Sequence, residues 1–332
     1  MTPDLHTPAD LLQLSGSYWA TCALHAGVAL DLFTPLAGQP GTAAELAERQ
    51  HLEPRALAML LDALTALGLL TKQADRYEAQ PAASRFLSRS SAEYLGHIIM
   101  HHHHLMAGWS RLDEAVRNGG PLRDPVINAC DDSVRESFLM GMFNLASLLA
   151  PRIAAGIDLT GRKRLLDLGG GPGTYAVAFC RQYPGLTATV YDLPSTRPFA
   201  ERVIGAAALS DRVAFHDGDY HQSDIPGGFD VAWLSHVLHA DGPEHCARML
   251  AKAVAALEPG GLLLVQEFIL DDSKDGPLFP ALFSLNMLLG TSRGQSYSGA
   301  ELTELMTAAG LRDVGRLPLE LPNGAGIMAG TV

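Results

Sequence analysis

The chain has 332 residues, enough for two compact domains, each with its own core. Its formal net charge of −12 argues against nucleic acid or an anionic membrane as the main partner, because both demand a basic face. Four cysteines, Cys22, Cys130, Cys180 and Cys246, stand far apart with no CxxC pair, which speaks against a structural zinc or a disulfide framework and for reduced thiols.

The first residues, MTPDLHTPADLLQL, carry neither a basic region nor an apolar core of the signal-peptide kind. Residues from about 10 to 150 are mostly helical by periodicity. The segment DLLQLSGSYWATCALHAGVALDLF reads as one helix with more apolar surface than a monomer would expose, and a homodimer through this region is expected. Thr42, with Glu45 three residues on, forms a capping box for a short helix. Pro54 opens the next helix, striped with Leu57, Leu60, Leu61, Leu64 and Leu67 and closed by Gly68. LLTKQADRYEAQ then reads as a two-stranded wing, so the arrangement is winged-helix. A winged helix can serve a DNA-binding regulator, but acidic residues outnumber basic ones in residues 1–90 and the would-be recognition helix offers only Arg55.

In HIIMHHHHLMAGW, a helix would bring His97, His101 and His104 to one face, a spacing that can hold a metal, yet no neighbouring carboxylate completes a set and no metal is expected. In RESFLMGMFNLASLL, Phe138, Met142, Leu145 and Leu149 share a helical face, which suits either interdomain core or the wall of an apolar pocket. The domain junction falls near Pro151 to Gly161. The expected divisions are 1–95, 96–150 and 151–332. After the junction, strands and helices alternate: RLLDL, TATVYD, RVAFHD, FDVAWL, GLLLVQEF, then DVGRLPL and GIMAGT. That alternation means a mostly parallel sheet covered on both faces, with ligands at the carboxyl ends of its strands. The longest apolar stretch, PLFPALFSLNMLLG, is too short to cross a bilayer and contains Asn286, so the cytoplasm is the expected location.

After RLLDL comes Gly169, Gly170, Gly171, Pro172, Gly173, and then a helix. Glycines let a ligand touch bare backbone, although a tight strand-to-helix turn alone would use them too. The dinucleotide fingerprint GxGxxG would need glycine where Thr174 stands. The next strand ends in Asp192, a carboxylate suited to the two hydroxyls of a ribose in NAD, FAD or S-adenosylmethionine alike. The third strand ends in HDGDYHQ, where Asp219 can accept from an exocyclic amine and Tyr220 can pack on a ring. Asp219 could equally be a turn residue after Gly218.

The motifs LLDLGGGPGT, VYDLP, GDY, LSHVLHADGPEHCARML and LEPGGLLLVQE, in this order, resemble the class I S-adenosylmethionine-dependent O-methyltransferases of the caffeic-acid type and their bacterial polyketide and hydroxyneurosporene relatives. The resemblance covers nearly the whole chain. It implies an α-helical winged-helix dimerisation domain followed by an α/β Rossmann-like domain with a seven-stranded sheet. It implies that Gly169, Gly171, Asp192, Leu193, Gly218, Asp219, Tyr220 and Ser235 bind S-adenosylmethionine, Ser235 standing where many relatives carry a lysine. It makes His239 the general base and Glu267 the residue that orients it, and puts Phe138, Met142, Met287 and Ser296 against a small, aromatic or polyketide-like acceptor. Methyl transfer in this family is metal-independent. Two departures accompany the match: Ala240 replaces an aspartate after the histidine, and Ser296 replaces a second flanking glutamate. C-methyl transfer, or a family member that keeps the cofactor without transferring its methyl, is therefore the alternative.

Overall fold

The computed structural model describes residues 6–122 and 131–332. Cys130 lies outside them. The chain divides into two compact units, Met1–Met106 with Asp132–Asn144, and Ala107–Asp131 with Leu145–Val332.

In chain order the first elements are α1 (Pro8–Gly16), α2 (Tyr18–Ala29), α3 (Phe33–Leu36), β1 (Gly41–Thr42), α4 (Ala43–Gln50), α5 (Pro54–Ala66), β2 (Leu70–Gln73), β3 (Arg76–Ala79), α6 (Pro81–Leu87) and α7 (Gly96–Trp109). The single helix expected over residues 10–33 is three. It breaks at Ser17, whose hydroxyl donates to the Leu14 carbonyl, and again where Asp31 takes a left-handed φ of 49°. The capping box is present: the Glu45 N–H donates to the Thr42 hydroxyl at 3.2 Å, and the Thr42 N–H donates to the Glu45 carboxylate at 2.8 Å. Glu53 caps α5 by accepting from the Arg55 and Ala56 N–H groups. Leu57, Leu61 and Leu64 are buried with Phe33, Leu36, Leu46 and Tyr77. Leu67, at the C-terminal end of α5, is exposed, and Gly68 at φ 77° then turns the chain toward the wing. The wing is β2 paired with β3, and β1 adds a short third strand that the pattern did not signal.

The next elements are α8 (Leu112–Asn118), α9 (Asp132–Gly156), β4 (Arg164–Leu168), α10 (Thr174–Gln182), β5 (Thr187–Asp192), α11 (Arg197–Ala206), β6 (Val213–Asp217), β7 (Phe229–Ser235), α12 (Pro243–Ala255), β8 (Leu257–Leu270), α13 (Leu278–Gly290), β9 (Tyr297–Ser298), α14 (Gly299–Ala308), β10 (Arg312–Arg316) and β11 (Ala325–Thr331). Pro151 lies inside α9, so the chain is helical up to Gly156 where a junction was expected. Seven strands run in the order β10-β11-β8-β7-β4-β5-β6, and the two-residue β9 joins the end of β8. All neighbours from β8 to β6 are parallel, while β11 lies antiparallel between β8 and β10. One face is sealed by α10 and α11 around Phe179 and Trp233; the other packs Leu166, Leu234, Met249 and Leu302. α9 has 25 residues and a mean hydropathy of 1.4 over its best window, and by length and composition alone could cross a membrane. Its Leu139, Ala150, Ile153 and Ala154 are buried in protein.

Candidate active site

Strand register gathers the chemistry at one edge of the sheet. Sequence order reverses between β4 and β7, which opens a crevice at their carboxyl ends. Leu168 is level with Tyr191 and Leu234, Asp192 with Asp217, and Ser235 with Gln266. The residues just beyond, from Gly169, Gly218, His236 and Glu267, therefore emerge side by side.

The glycine loop has the left-handed backbone that glycine permits, with φ 66° at Gly169, 54° at Gly171 and 75° at Gly173. A Cβ on Gly170 would come within 2.6 Å of the Asp167 carboxyl carbon, so that residue must be glycine for the loop to fold over the buried aspartate. A Cβ on Gly171 would meet nothing within 4 Å and would instead fill the cradle in front of the loop. Asp192 ties the loop to β5. Its carboxylate accepts from the Gly171 N–H at 2.8 Å, the Leu193 N–H at 2.7 Å and the Thr196 hydroxyl at 3.1 Å. A carboxylate has about four acceptor positions, so one remains for a ligand hydroxyl. Burial raises the Asp192 pKa, against the pull of those hydrogen bonds. Gly218 is glycine because a Cβ would collide with the Tyr191 ring. Asp219 accepts from the His221 N–H and from the Gln222 side chain, both at 2.8 Å, and so serves its own turn. A Cβ on Gly169 would come within 3.7 Å of the Tyr220 ring. The Ser235 hydroxyl donates to Gln266 Oε1 at 3.1 Å. The bare loop, the open acceptor on Asp192 and the neighbouring Tyr220 ring fit the amino-acid, ribose and base parts of S-adenosylmethionine.

On the far side of the crevice, His239 sits in a single 3-10 turn, Leu238–Ala240, just after β7. Its Nδ1 is 2.7 Å from Glu267 Oε2, and its backbone N–H donates to Glu267 Oε1 at 3.2 Å. Burial works against ionisation of Glu267, but the charge of His239, its hydrogen bond to the carboxyl and the second imidazole facing it outweigh that, and the carboxyl is held well below the usual range. An ionised carboxylate only accepts, so Nδ1 of His239 carries a proton, and in the neutral imidazole Nε2 is the acceptor. Sequence reasoning passed over His236, whose Nδ1 is 3.6 Å from Glu267 Oε2. It also passed over an aromatic group around both histidines: Phe283 meets His239 edge-on with centroids 4.8 Å apart, and Phe268 lies 4.3 Å from His236. Ala240 leaves no carboxylate next to His239; the following Asp241 faces His221 at 3.4 Å, and burial raises its pKa.

Ser296 is buried, its hydroxyl donating to the Pro280 carbonyl and its N–H to the Ser284 hydroxyl. Met287 is buried on α13. Phe138 and Met142 lie in the first unit, half-buried on α9, with the Phe138 ring 5.2 Å from His101. Their assignment as acceptor contacts rests on the resemblance.

Comparison with known proteins converges on one reading. Residues 109–312 match the model of the O-methyltransferase domain, and residues 12–89 match that of the O-methyltransferase dimerisation domain. The chain is 36% identical to a 3-hydroxy-5-methyl-1-naphthoate 3-O-methyltransferase of Streptomyces sahachiroi, over 99% of this chain and 96% of that one. It is 36% identical to the tetracenomycin polyketide synthesis 8-O-methyl transferase TcmO of Streptomyces glaucescens, over 95% of both. A solved structure described as PigF with SAH superposes with a TM-score of 0.91 at 26% identity, covering 98% of this chain and all of that one. The chain belongs to the O-methyltransferase family whose catalytic and dimerisation domains it carries. It is an S-adenosylmethionine-dependent O-methyltransferase with a Rossmann-like catalytic domain.

Proposed function

We propose that the acceptor is a hydroxyl on a small fused aromatic or polyketide-derived ring, and that His239 removes its proton while Glu267 orients the imidazole. The observation that carries this reading is the 2.7 Å contact between His239 Nδ1 and the buried, ionised Glu267, which leaves Nε2 as a base. Phe268, Phe279 and Phe283 form a mutually packed aromatic group beside that base, suited to a flat ring. By their names, one relative methylates a hydroxynaphthoate and the other is an O-methyl transferase of tetracenomycin polyketide synthesis.

When bound, S-adenosylmethionine supplies a methyl group made electrophilic by its sulfonium. The chain's part is alignment and proton removal. The acceptor's O–H proton passes to His239 Nε2, which leaves the oxygen as the nucleophile. The resulting imidazolium keeps its Nδ1–H on Glu267, and the carboxylate stabilises the charge. Asp192, Tyr220 and the glycine loop would hold the cofactor, and Met287 would border the acceptor. The protein acts as a homodimer through its N-terminal domain, in the cytoplasm.

The test is methyl transfer to hydroxynaphthoates and polyketide phenols, scored by S-adenosylhomocysteine release. His239→Ala should cut turnover by roughly 10² to 10⁴ with cofactor affinity intact, and Glu267→Gln by less. Near-wild-type rates in His239→Ala would reject the base.

A further inference from the structure

Among the described residues, one group of three His, Cys, Asp or Glu side chains brings its ligand atoms within 4.8 Å of one another: His236, His239 and Glu267. The histidine run on α7 forms no such group. Two features of His236 go beyond what the dyad needs. Its backbone holds a left-handed φ of 56°, which non-glycine residues adopt at a cost and which persists where the surroundings over-determine it. Its N–H donates to the Gln266 carbonyl at 2.8 Å, which fixes the turn. Its Nδ1 is buried, has no hydrogen-bond partner, and faces Glu267 at 3.6 Å, beyond hydrogen-bond reach.

We propose that His236, His239 and Glu267 form a binding site for a single divalent transition-metal ion of the Zn²⁺ type. Ligand atoms about 2.0–2.1 Å from a tetrahedral ion stand roughly 3.3 Å apart. The 3.6 Å between His236 and Glu267 is close to that spacing, and the 2.7 Å between His239 and Glu267 must widen. Two imidazole nitrogens and one carboxylate oxygen select zinc, cobalt, nickel or copper over magnesium or calcium, which take oxygen sets. Three protein ligands leave a coordination position open for water.

The consequence for catalysis rests on the base reading above. An ion on Nδ1 of His239 occupies the lone pair freed when the ring proton moves to Nε2. No proton leaves the ring. Nε2 changes from acceptor to donor and can no longer take the proton of an acceptor hydroxyl. The ion therefore inhibits without touching the cofactor, which lies across the crevice on Asp192 and the glycine loop.

Co²⁺ is the probe, titrated into the chelator-treated full-length protein. The expected result is one Co²⁺ per chain with the strong visible absorption of a low-coordinate ion. His236→Asn should weaken that binding at least tenfold; asparagine accepts the left-handed backbone but is a poor ligand. The double variant His102→Asn/His103→Asn, which removes exposed imidazoles of α7, should leave it unchanged. Absence of the absorption, or equal affinity in His236→Asn, overturns the site. In the wild type, Zn²⁺ should also shield His236 and His239, but not His51 and His103, from diethyl pyrocarbonate; equal labelling of all four overturns it independently of any variant. Zn²⁺ that fills the site should stop methyl transfer and leave S-adenosylhomocysteine affinity within twofold. Binding with undiminished transfer supports the site and rejects His239 as base. No binding, with transfer abolished in His239→Ala, rejects the site and keeps the base.

Discussion

Asp167 shows how a single residue carries the geometry of the loop above it. It is fully buried; one carboxylate oxygen accepts from the Ala176 N–H at 3.2 Å, and the other has no partner. Burial pushes its pKa up to about 7, against the Ala176 hydrogen bond and with the nearby Asp192 adding to the rise. An unfolded aspartate titrates near 3.9. Between about pH 4 and pH 7 the native state thus holds a proton the unfolded state lacks, and this group's contribution to stability is full below pH 4 and lost as pH rises through 7. Asp167→Asn is neutral and keeps an acceptor for Ala176. The stability of wild type relative to this variant should therefore fall across that window, by an amount on the order of a few kcal/mol. Urea unfolding at stepped pH measures it, and a flat difference would mean that Asp167 is ionised in the fold. The same scale marks what the sequence could and could not disclose. That the glycine loop, Asp192, His239 and Glu267 meet at one edge of the sheet was legible, because each sits at or just after the end of a strand that the pattern marks. His236 was not, because nothing in its composition announces a left-handed turn that swings the ring toward Glu267. Ser296, expected against the acceptor, is buried with its hydrogen bonds to Pro280 and Ser284 of α13, a packing that the sequence did not indicate.

At the scale of elements, local signals succeeded where capping and periodicity act within a few residues. The Thr42 capping box, Pro54 at the start of α5 and all seven sheet strands were legible, since each is written in adjacent positions. The break between α1 and α2 was not, because Ser17 keeps helical dihedrals and only its hydrogen bonding changes. The length of β8 was also missed: the expected strand began at Gly261, and pairing with β7 and β11 draws Leu257–Leu270 into one strand. α1 and α2 leave Leu12 73% and Trp19 70% exposed, with Leu11, Leu14 and Tyr18 beside them in sequence. All of these but Leu11 lie within the matched dimerisation domain, and the apolar surface calls for a partner copy. Trp19→Glu with Leu12→Asp should convert the protein to a 35.4 kDa monomer by sedimentation without loss of helical circular dichroism. A wild type that sediments as a monomer at micromolar concentration would remove the dimer itself.

For the whole molecule, parallel pairing from β8 to β6 places the glycine loop, Asp192, His239 and Glu267 at one edge, on segments anchored in the buried core of the second unit. Those segments are held by strands whose opening requires unfolding of the second unit, so cofactor binding should be visible as stabilisation of the entire sheet. A ligand that binds only the native state adds RT ln(1 + [L]/Kd). S-adenosylhomocysteine at one hundred times its Kd should thus raise the unfolding free energy by about 2.7 kcal/mol, read as slowed hydrogen exchange of the buried β4 and β7 amides. Asp192→Asn should weaken the ligand about tenfold, because the new amide offers one acceptor in place of several and its NH₂ opposes the Gly171 N–H. At the same ligand concentration that variant should gain only about 1.4 kcal/mol. The two increments, each measured against its own ligand-free protein, cancel any change the substitution makes to the fold itself. If both proteins gain equally, Asp192 serves only to tie the glycine loop to β5, and the ribose hydroxyls are held elsewhere along the crevice.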